Sequence, residues 1–371
     1  MKVNQITRII EELAPLTLAE DFDNVGLLVG DMQAEVSGVL ITLDCLEEVM
    51  DEAIQNKCNL IITFHPIIFS GLKKITGQTY VERVVMKAIQ HQINIYAIHT
   101  ALDNVHLGVN HEICNRIGLD QQQILLPKSR VIKKLQVHVP KTHTEILQEA
   151  LFEAGAGGIG NYDECSFLLE GKGSFKGNEK SNPQIGERGI RELVEEHQLQ
   201  ITFESYKESQ ILKAMKNAHP YEEIAFEITT LDNQHQQTGL GMIGMLEKPL
   251  DEKDFLLHLK KTFNLEIIRH SPLLNQPIQS VAVLGGSGAF AIEAAKKQNA
   301  TAFVSADFKY HDFYKSENQL LIADIGHYES EQYTKELIYA YLTKKLINFA
   351  PALENNKVLI SKVNTNPVQY F

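Results

Sequence analysis

The sequence predicts an α/β fold in two halves that form one domain, with a small α+β module inserted between them. Three observations carry this prediction. Short apolar runs alternate with helix-periodic segments over residues 1–125. The same alternation returns over residues 239–371, and residues 126–238 break it. Continuous apolar runs suit strands covered on both faces, and their alternation with helices implies a parallel or mostly parallel sheet.

The first half opens on "MKVNQITRIIEELAPL", where Ile6, Ile9, Ile10 and Leu13 recur at helical spacing. Three strands follow, "GVLITLD" (38–44), "NLIITF" (59–64) and "NIYAIH" (94–99). Between the first two, Leu46, Val49, Met50, Ala53 and Ile54 mark one amphipathic helix; between the second and third, Val81, Val84, Val85, Ala88 and Ile89 mark another. The middle reads as a strand at 133–140, a helix at 145–155 and a Gly- and Asn-rich stretch of hairpins and loops at 155–186. A helix at "ESQILKAMKNA" and a strand at "IAFEIT" complete it, the grammar of a ferredoxin-like module. In the last third, "SVAVLGG" (280–286), "TAFVSAD" (301–307) and "LLIADIG" (320–326) are strands; 291–298 and 333–347 are helices.

A chain of 371 residues exceeds one typical domain, which fits this division; three tandem domains are the alternative, and the insertion is favoured if the two α/β halves share one site. No stretch approaches the roughly 18 apolar residues of a membrane span, and Arg8, Glu11 and Glu12 interrupt the N-terminus where a signal peptide needs its apolar core. A cytoplasmic protein with no membrane partner is therefore expected. The four cysteines form no CxxC, against a zinc ribbon or a disulfide framework. A net charge of −12 disfavours nucleic acid as a partner, because phosphate binding needs a basic surface.

Three segments place metal-type side chains at the carboxyl ends of strands, where open α/β sheets hold their ligands. "NLIITFHP" delivers His65, "NIYAIHTALDN" delivers His99 and Asp103, and "LLIADIGHYESE" delivers Asp324, His327 and Glu331. If "HYESEQYTKEL" begins a helix, His327 and Glu331 share a face at i, i+4. Imidazole with carboxylate suits zinc, iron or manganese better than calcium or magnesium. Each residue alone is weak: a strand-end histidine is commonly structural, and Asp103 fits an Asx-turn equally well. The case rests on all three segments ending in ligand types.

Taken together, "EDFDNVGLLVGD" (20–31), "TFHPIIFSGLKKIT" (63–76), "HTALDN" (99–104), "LGGSGAF" (284–290), "SADFKYHD" (305–312) and "GHYESE" (326–331) resemble the Nif-three-like family. Its bacterial members are often labelled GTP cyclohydrolase 1 type 2 homologs or dinuclear metal centre proteins. The match runs from residue 20 to the terminal "NTNPVQYF". The resemblance implies an α/β metal-binding domain at 1–125 and 239–371, with a PII/CutA-like module at 126–238, where "HPYEE" (219–223) is typical. It also implies a homohexameric ring whose metals face an interior cavity. The family's ligands are a His-His pair, an Asp and a His-x3-Glu whose Glu bridges two metals. Carried onto this chain they are His65, Asp103, His327 and Glu331, with the first histidine replaced by Phe64. A phenyl ring cannot ligate. One or two ions per chain are therefore expected, the second position weakened or completed by water, His99, Asp307 or His311.

"LGGSGAF" follows a strand and precedes a helix, so Gly285, Gly286, Ser287 and Gly288 are a candidate anion-binding turn, with tight packing as the alternative. Glu20 and Asp23 are candidates to line the cavity, and a structural role is expected for "HPYEE". No Ser/His/Asp or Cys/His nucleophile is legible, so metal-activated water is the expected nucleophile. Two functions follow: a metal-dependent hydrolase of a small, nucleotide or pterin-like substrate, or a non-catalytic metal-handling or ligand-sensing assembly. The cyclohydrolase label belongs to the family; no GTP pocket is legible in this sequence.

Overall fold

The computed structural model describes residues 1–349 and 357–371, with the side chains of 347–349 left aside. Two compact units result, residues 1–127 with 237–371, and residues 128–236. The architecture is mixed α/β.

In the first half, α1 (Val3–Leu13) buries Ile6, Ile9 and Ile10 of the stripe read from the sequence, with Val3 added and Leu13 only half-buried. Then come β1 (Gly26–Val29), β2 (Val39–Thr42), α2 (Glu47–Gln55), β3 (Leu60–Thr63), α3 (Tyr80–Gln90) and β4 (Asn94–Ala97). A short helix α4 (His99–Asp103), α5 (Val109–Ile117) and the long strand β5 (Leu119–Ser129) follow. Every residue of β2, β3 and β4 is buried, which is why these strands read as unbroken apolar runs. They pair in parallel, with α2 and α3 as the helices of the two βαβ connections.

The unit 128–236 contains β6 (Ile132–Pro140), α6 (Thr144–Glu153), β7 (Ser166–Lys176), β8 (Arg191–Glu204), α7 (Glu208–Ala218) and β9 (Phe226–Leu231). Its antiparallel sheet runs β7-β8-β6-β9, the ferredoxin-like order. Leu135, Val137, Leu199 and Ile201 pack beneath Leu147, Leu151, Ile211 and Met215 of the two helices. The Gly-rich stretch differs from expectation. It holds the 11-residue strand β7, whose pairing with β8 overrides the weak strand propensity of its glycines. In "HPYEE", His219 Nε2 donates to the His138 carbonyl at 2.8 Å and Nδ1 accepts from the Tyr221 amide at 3.1 Å, which is a structural use of both nitrogens.

The second half adds β10 (Gln234–Leu250), α8 (Glu252–Thr262), β11 (Arg269–His270), β12 (Ile278–Ser287), α9 (Ile292–Lys297), β13 (Ala302–Ala306) and β14 (Leu321–Asp324). Last come α10 (His327–Glu331), α11 (Thr334–Phe349) and β15 (Val358–Ile360). The sheets run β11-β14-β13-β12-β10-β5 and β1-β4-β3-β2-β15, so the final strand returns to the first half's sheet. One core joins them: Ile41, Leu60, Phe64 and Tyr96 from one sheet pack in the same cluster as Val283, Val304 and Leu321 from the other. "HYESE" forms its own five-residue helix rather than the start of a longer one. Among the described residues, no helix is long and apolar enough to cross a membrane.

Candidate metal centre

Register in the first sheet delivers one group of side chains. Thr42 stands opposite Thr63, and Thr63 opposite Ala97. Two positions beyond each stand Asp44, His65 and His99, so one sheet edge presents all three. The other sheet aligns Ser305 with Asp324, and Asp307 and His327 follow just beyond. Helix α10 then holds His327 and Glu331 one turn apart.

His65 Nδ1 lies 2.8 Å from Asp44 Oδ1, and its Nε2 lies 3.2 Å from Glu331 Oε2. His327 repeats the pattern, with Nδ1 2.7 Å from Asp307 Oδ2 and Nε2 3.1 Å from the same Glu331 oxygen. A carboxylate at Nδ1 fixes the proton there and leaves a lone pair on Nε2. Both Nε2 atoms converge on Glu331 Oε2, a buried oxygen that pairs with them when the rings are protonated. These three groups lie within 4.8 Å of one another, a spacing at which one divalent cation could take the place of the protons between them.

The electrostatics agree. Burial by itself would lower both imidazole pKa values; the carboxylates facing each ring outweigh it and hold His65 at about 9 and His327 at about 11. Burial would raise Glu331, but the two imidazoles bring it down to about 2. The cradle thus draws positive charge, and protons supply it where a metal does not. Asp103, at the end of α4, has a buried Oδ1 with no partner. Burial, reinforced by Glu331, raises its pKa well above the carboxylate range. It lies outside the converging three but within their electrostatic field.

Gly286 closes the other side. Its φ is +66°, and a Cβ there would stand 2.5 Å from Glu331 Oε1 and 3.2 Å from His327 Nε2. Only glycine combines this left-handed backbone with so close an approach.

The sequence pattern of DUF34/NIF3 (NGG1p interacting factor 3) matches residues 1–367. The chain belongs to the DUF34/NIF3 family. A Bacillus subtilis relative named GTP cyclohydrolase 1 type 2 homolog is 36% identical over 99% of this chain and 98% of its own length. A Bacillus cereus protein described as related to NIF3 has a crystal structure that superposes with a TM-score of 0.85 at 35% identity, covering 100% of this chain and 99% of its own. A Staphylococcus aureus structure superposes at 0.75 with 31% identity, covering 100% and 99%.

Phe64 is fully buried in the core, its ring centroid 4.9 Å from His65 and 5.5 Å from His99. His99, at an unusual φ of +26°, points Nδ1 at Asp23 Oδ1 at 2.8 Å, and its ring lies 5.2 Å from that of His65. Asp307 orients His327 through Nδ1 rather than joining the converging donors. His311 is exposed and packs between Tyr310 and Tyr314. Asp324 is taken up by Arg269 and by the Phe308 and Gly326 amides.

The glycine turn departs from the anion-binding expectation. The amides of Gly285, Gly286 and Gly288 donate to Asn110 Oδ1, Ser330 Oγ and the Ala306 carbonyl, while the Ser287 hydroxyl donates to Asp307. The three glycine amides are thus engaged within the protein, and the turn serves close packing beside Glu331. Asp44 was not singled out from the sequence. Its only signal is its place at the end of "GVLITLD", two residues past the last paired position.

Proposed function

We propose that this chain binds a divalent metal ion through His65, His327 and Glu331, with Asp103 as a further carboxylate, and hydrolyses a small substrate there. The observation that carries the reading is the convergence of two imidazole Nε2 atoms on one buried carboxylate oxygen, each ring held at Nδ1 by a second carboxylate. An imidazole and carboxylate donor set fits zinc, iron or manganese. Such an ion, when bound, supplies Lewis acidity and makes water a competent nucleophile near neutral pH. Asp44 and Asp307 hold the imidazoles in the tautomer that presents Nε2. Asp103, whose buried Oδ1 has no hydrogen-bond partner, is the further carboxylate that an ion bound there would draw into its deprotonated form.

For the substrate, aromatic surface beside the centre supports a planar ring of the nucleotide or pterin-like kind. Phe22 and Phe69 are 67% and 52% exposed, with ring centroids 6.4 Å apart, and Phe69 lies 6.5 Å from His99. Exposed rings of this kind offer stacking faces to a conjugated ligand. The family resemblance adds a homohexamer, for which light scattering would give about six times the 41.8 kDa chain mass.

The test is elemental analysis of protein purified without added metal, followed by a metal-dependent hydrolysis screen on nucleotides and pterins. Stoichiometric metal with turnover abolished by Glu331→Gln supports the reading. Metal without any turnover favours a metal-handling role, and absence of metal uptake removes both.

A further inference from the structure

We infer that the segment 361–366 is a strap that positions the metal ligands from both halves of the centre at once, with Thr365 its principal positioning residue. The inference rests on the metal-binding reading above. Strand β15 pairs in parallel with β2, Ile360 opposite Ile41, and so runs toward the sheet edge that presents Asp44. The Ser361 amide donates to the Ile41 carbonyl at 2.8 Å. The Ser361 hydroxyl and the Lys362 amide both donate to the carboxylate of Glu52, at 2.5 and 3.0 Å, anchoring the segment as it leaves the sheet.

Four residues on, the Thr365 hydroxyl donates to Asp44 Oδ2 at 2.6 Å; Thr365 is 5% exposed. The other oxygen of Asp44 is the one that meets His65 Nδ1. A carboxylate held at only one oxygen turns freely about its last torsion, and the imidazole it orients turns with it. Thr365 occupies the second oxygen and so fixes the plane of Asp44, hence the direction of His65 Nε2. The next residue reaches the opposite half: Asn366 Nδ2 donates to Glu329 Oε1 at 2.9 Å, and Glu329 sits in α10 between His327 and Glu331. Asn366 is itself held, its amide donating to Asn364 Oδ1 and its side-chain oxygen accepting from the Val368 amide, each at 3.0 Å. Two adjacent side chains therefore tie the sheet edge that carries His65 to the helix that carries the other two donors. The ligands come from two different sheets, and this segment is hydrogen-bonded to both sets of supports.

The test measures cobalt(II) affinity by chelator competition, together with the cobalt absorption spectrum and the melting temperature of the metal-free protein. Thr365→Val keeps the shape and removes the hydroxyl. It is expected to weaken cobalt binding about 10-fold, at the lower end of what outer-shell partners of metal ligands contribute, and to shift the spectrum. Thr365→Ser should restore both. In an Asp44→Asn background, Thr365→Val should add no further loss, because it acts through that carboxylate. Cobalt bound as tightly by Thr365→Val as by wild type, or losses that simply add in the double variant, overturns the strap while leaving the metal site standing. A wild-type protein that takes up no cobalt overturns the metal reading and the strap with it. A Thr365→Val protein that melts lower without metal yet keeps its affinity shows a fold contact only and also overturns the inference.

Discussion

Replacing Gly286 by alanine tests how closely the centre is built. The added Cβ would stand 2.5 Å from Glu331 Oε1, whereas ordinary contact begins at 3.4 Å, so one side must give by about 0.9 Å. The backbone is poorly placed to move. The Gly286 amide donates to Ser330 Oγ at 3.0 Å, and that hydroxyl donates to the His327 carbonyl at 2.8 Å, so a shift of the turn pulls on the ligand helix. Glu331 must retreat instead, beyond the roughly 0.5 Å within which a functional constellation tolerates error. Two effects are expected. The left-handed φ of +66° costs alanine about 1–2 kcal/mol of stability with or without metal. Displacing the central carboxylate weakens metal binding by about 10–100-fold. Urea unfolding of the metal-free protein reads the first, and competition with a chromophoric chelator reads the second. Gly71→Ala is the control, since a Cβ there meets nothing within 4 Å. A Gly286→Ala protein that binds metal as tightly as wild type would refute the reasoning, because Glu331 would then not be the donor that fixes the site.

Three further outcomes follow from the same geometry. Asp307→Asn should weaken metal affinity by about 10-fold, since His327 Nδ1 loses its carboxylate, and an unchanged chelator titration would contradict this. Phe64→Ala should cost about 3–5 kcal/mol in urea unfolding, the range for deleting a buried phenyl ring; a loss below about 1 kcal/mol would show that the ring is not packed as described. Burial would raise the Asp23 pKa, but bonds from His99 and Thr100 bring it from 3.8 down to about 2. Its contribution to stability, on the order of 1 kcal/mol, is therefore present above pH 3.8 and lost as pH falls toward 2. The stability gap between wild type and Asp23→Asn should close over that interval in urea melts, and a gap that widens on acidification would reverse the sign.

Much of this architecture was legible because burial on two faces leaves a plain mark: β2, β3 and β4 are the unbroken apolar runs of the sequence. His65 ends such a run, and His327 with Glu331 carries a helical spacing, so local pattern brought these three forward together with His99, Asp103 and Asp324, and the family resemblance narrowed the set. Their supports left no such trace. Asp44 reads as an ordinary strand-end acid until sheet register sets it beside His65, and Thr365 is 321 positions from the carboxylate it contacts. The glycine turn shows the same limit from the other side. Its sequence suits an anion, but Asn110, 175 positions away, and Ser330, 44 away, take up two of its amides. A lone glycine-rich motif says that a backbone comes close to something, and only the fold says to what.

The central claim is that His65, His327 and Glu331 share one divalent ion. An element-specific anomalous-scattering map from crystals of the metal-loaded protein tests it most directly. A peak is expected about 2.0–2.2 Å from His65 Nε2, His327 Nε2 and Glu331 Oε2 together. A fully loaded protein whose peak lies elsewhere, with those three atoms still facing one another and no ion between them, would contradict it.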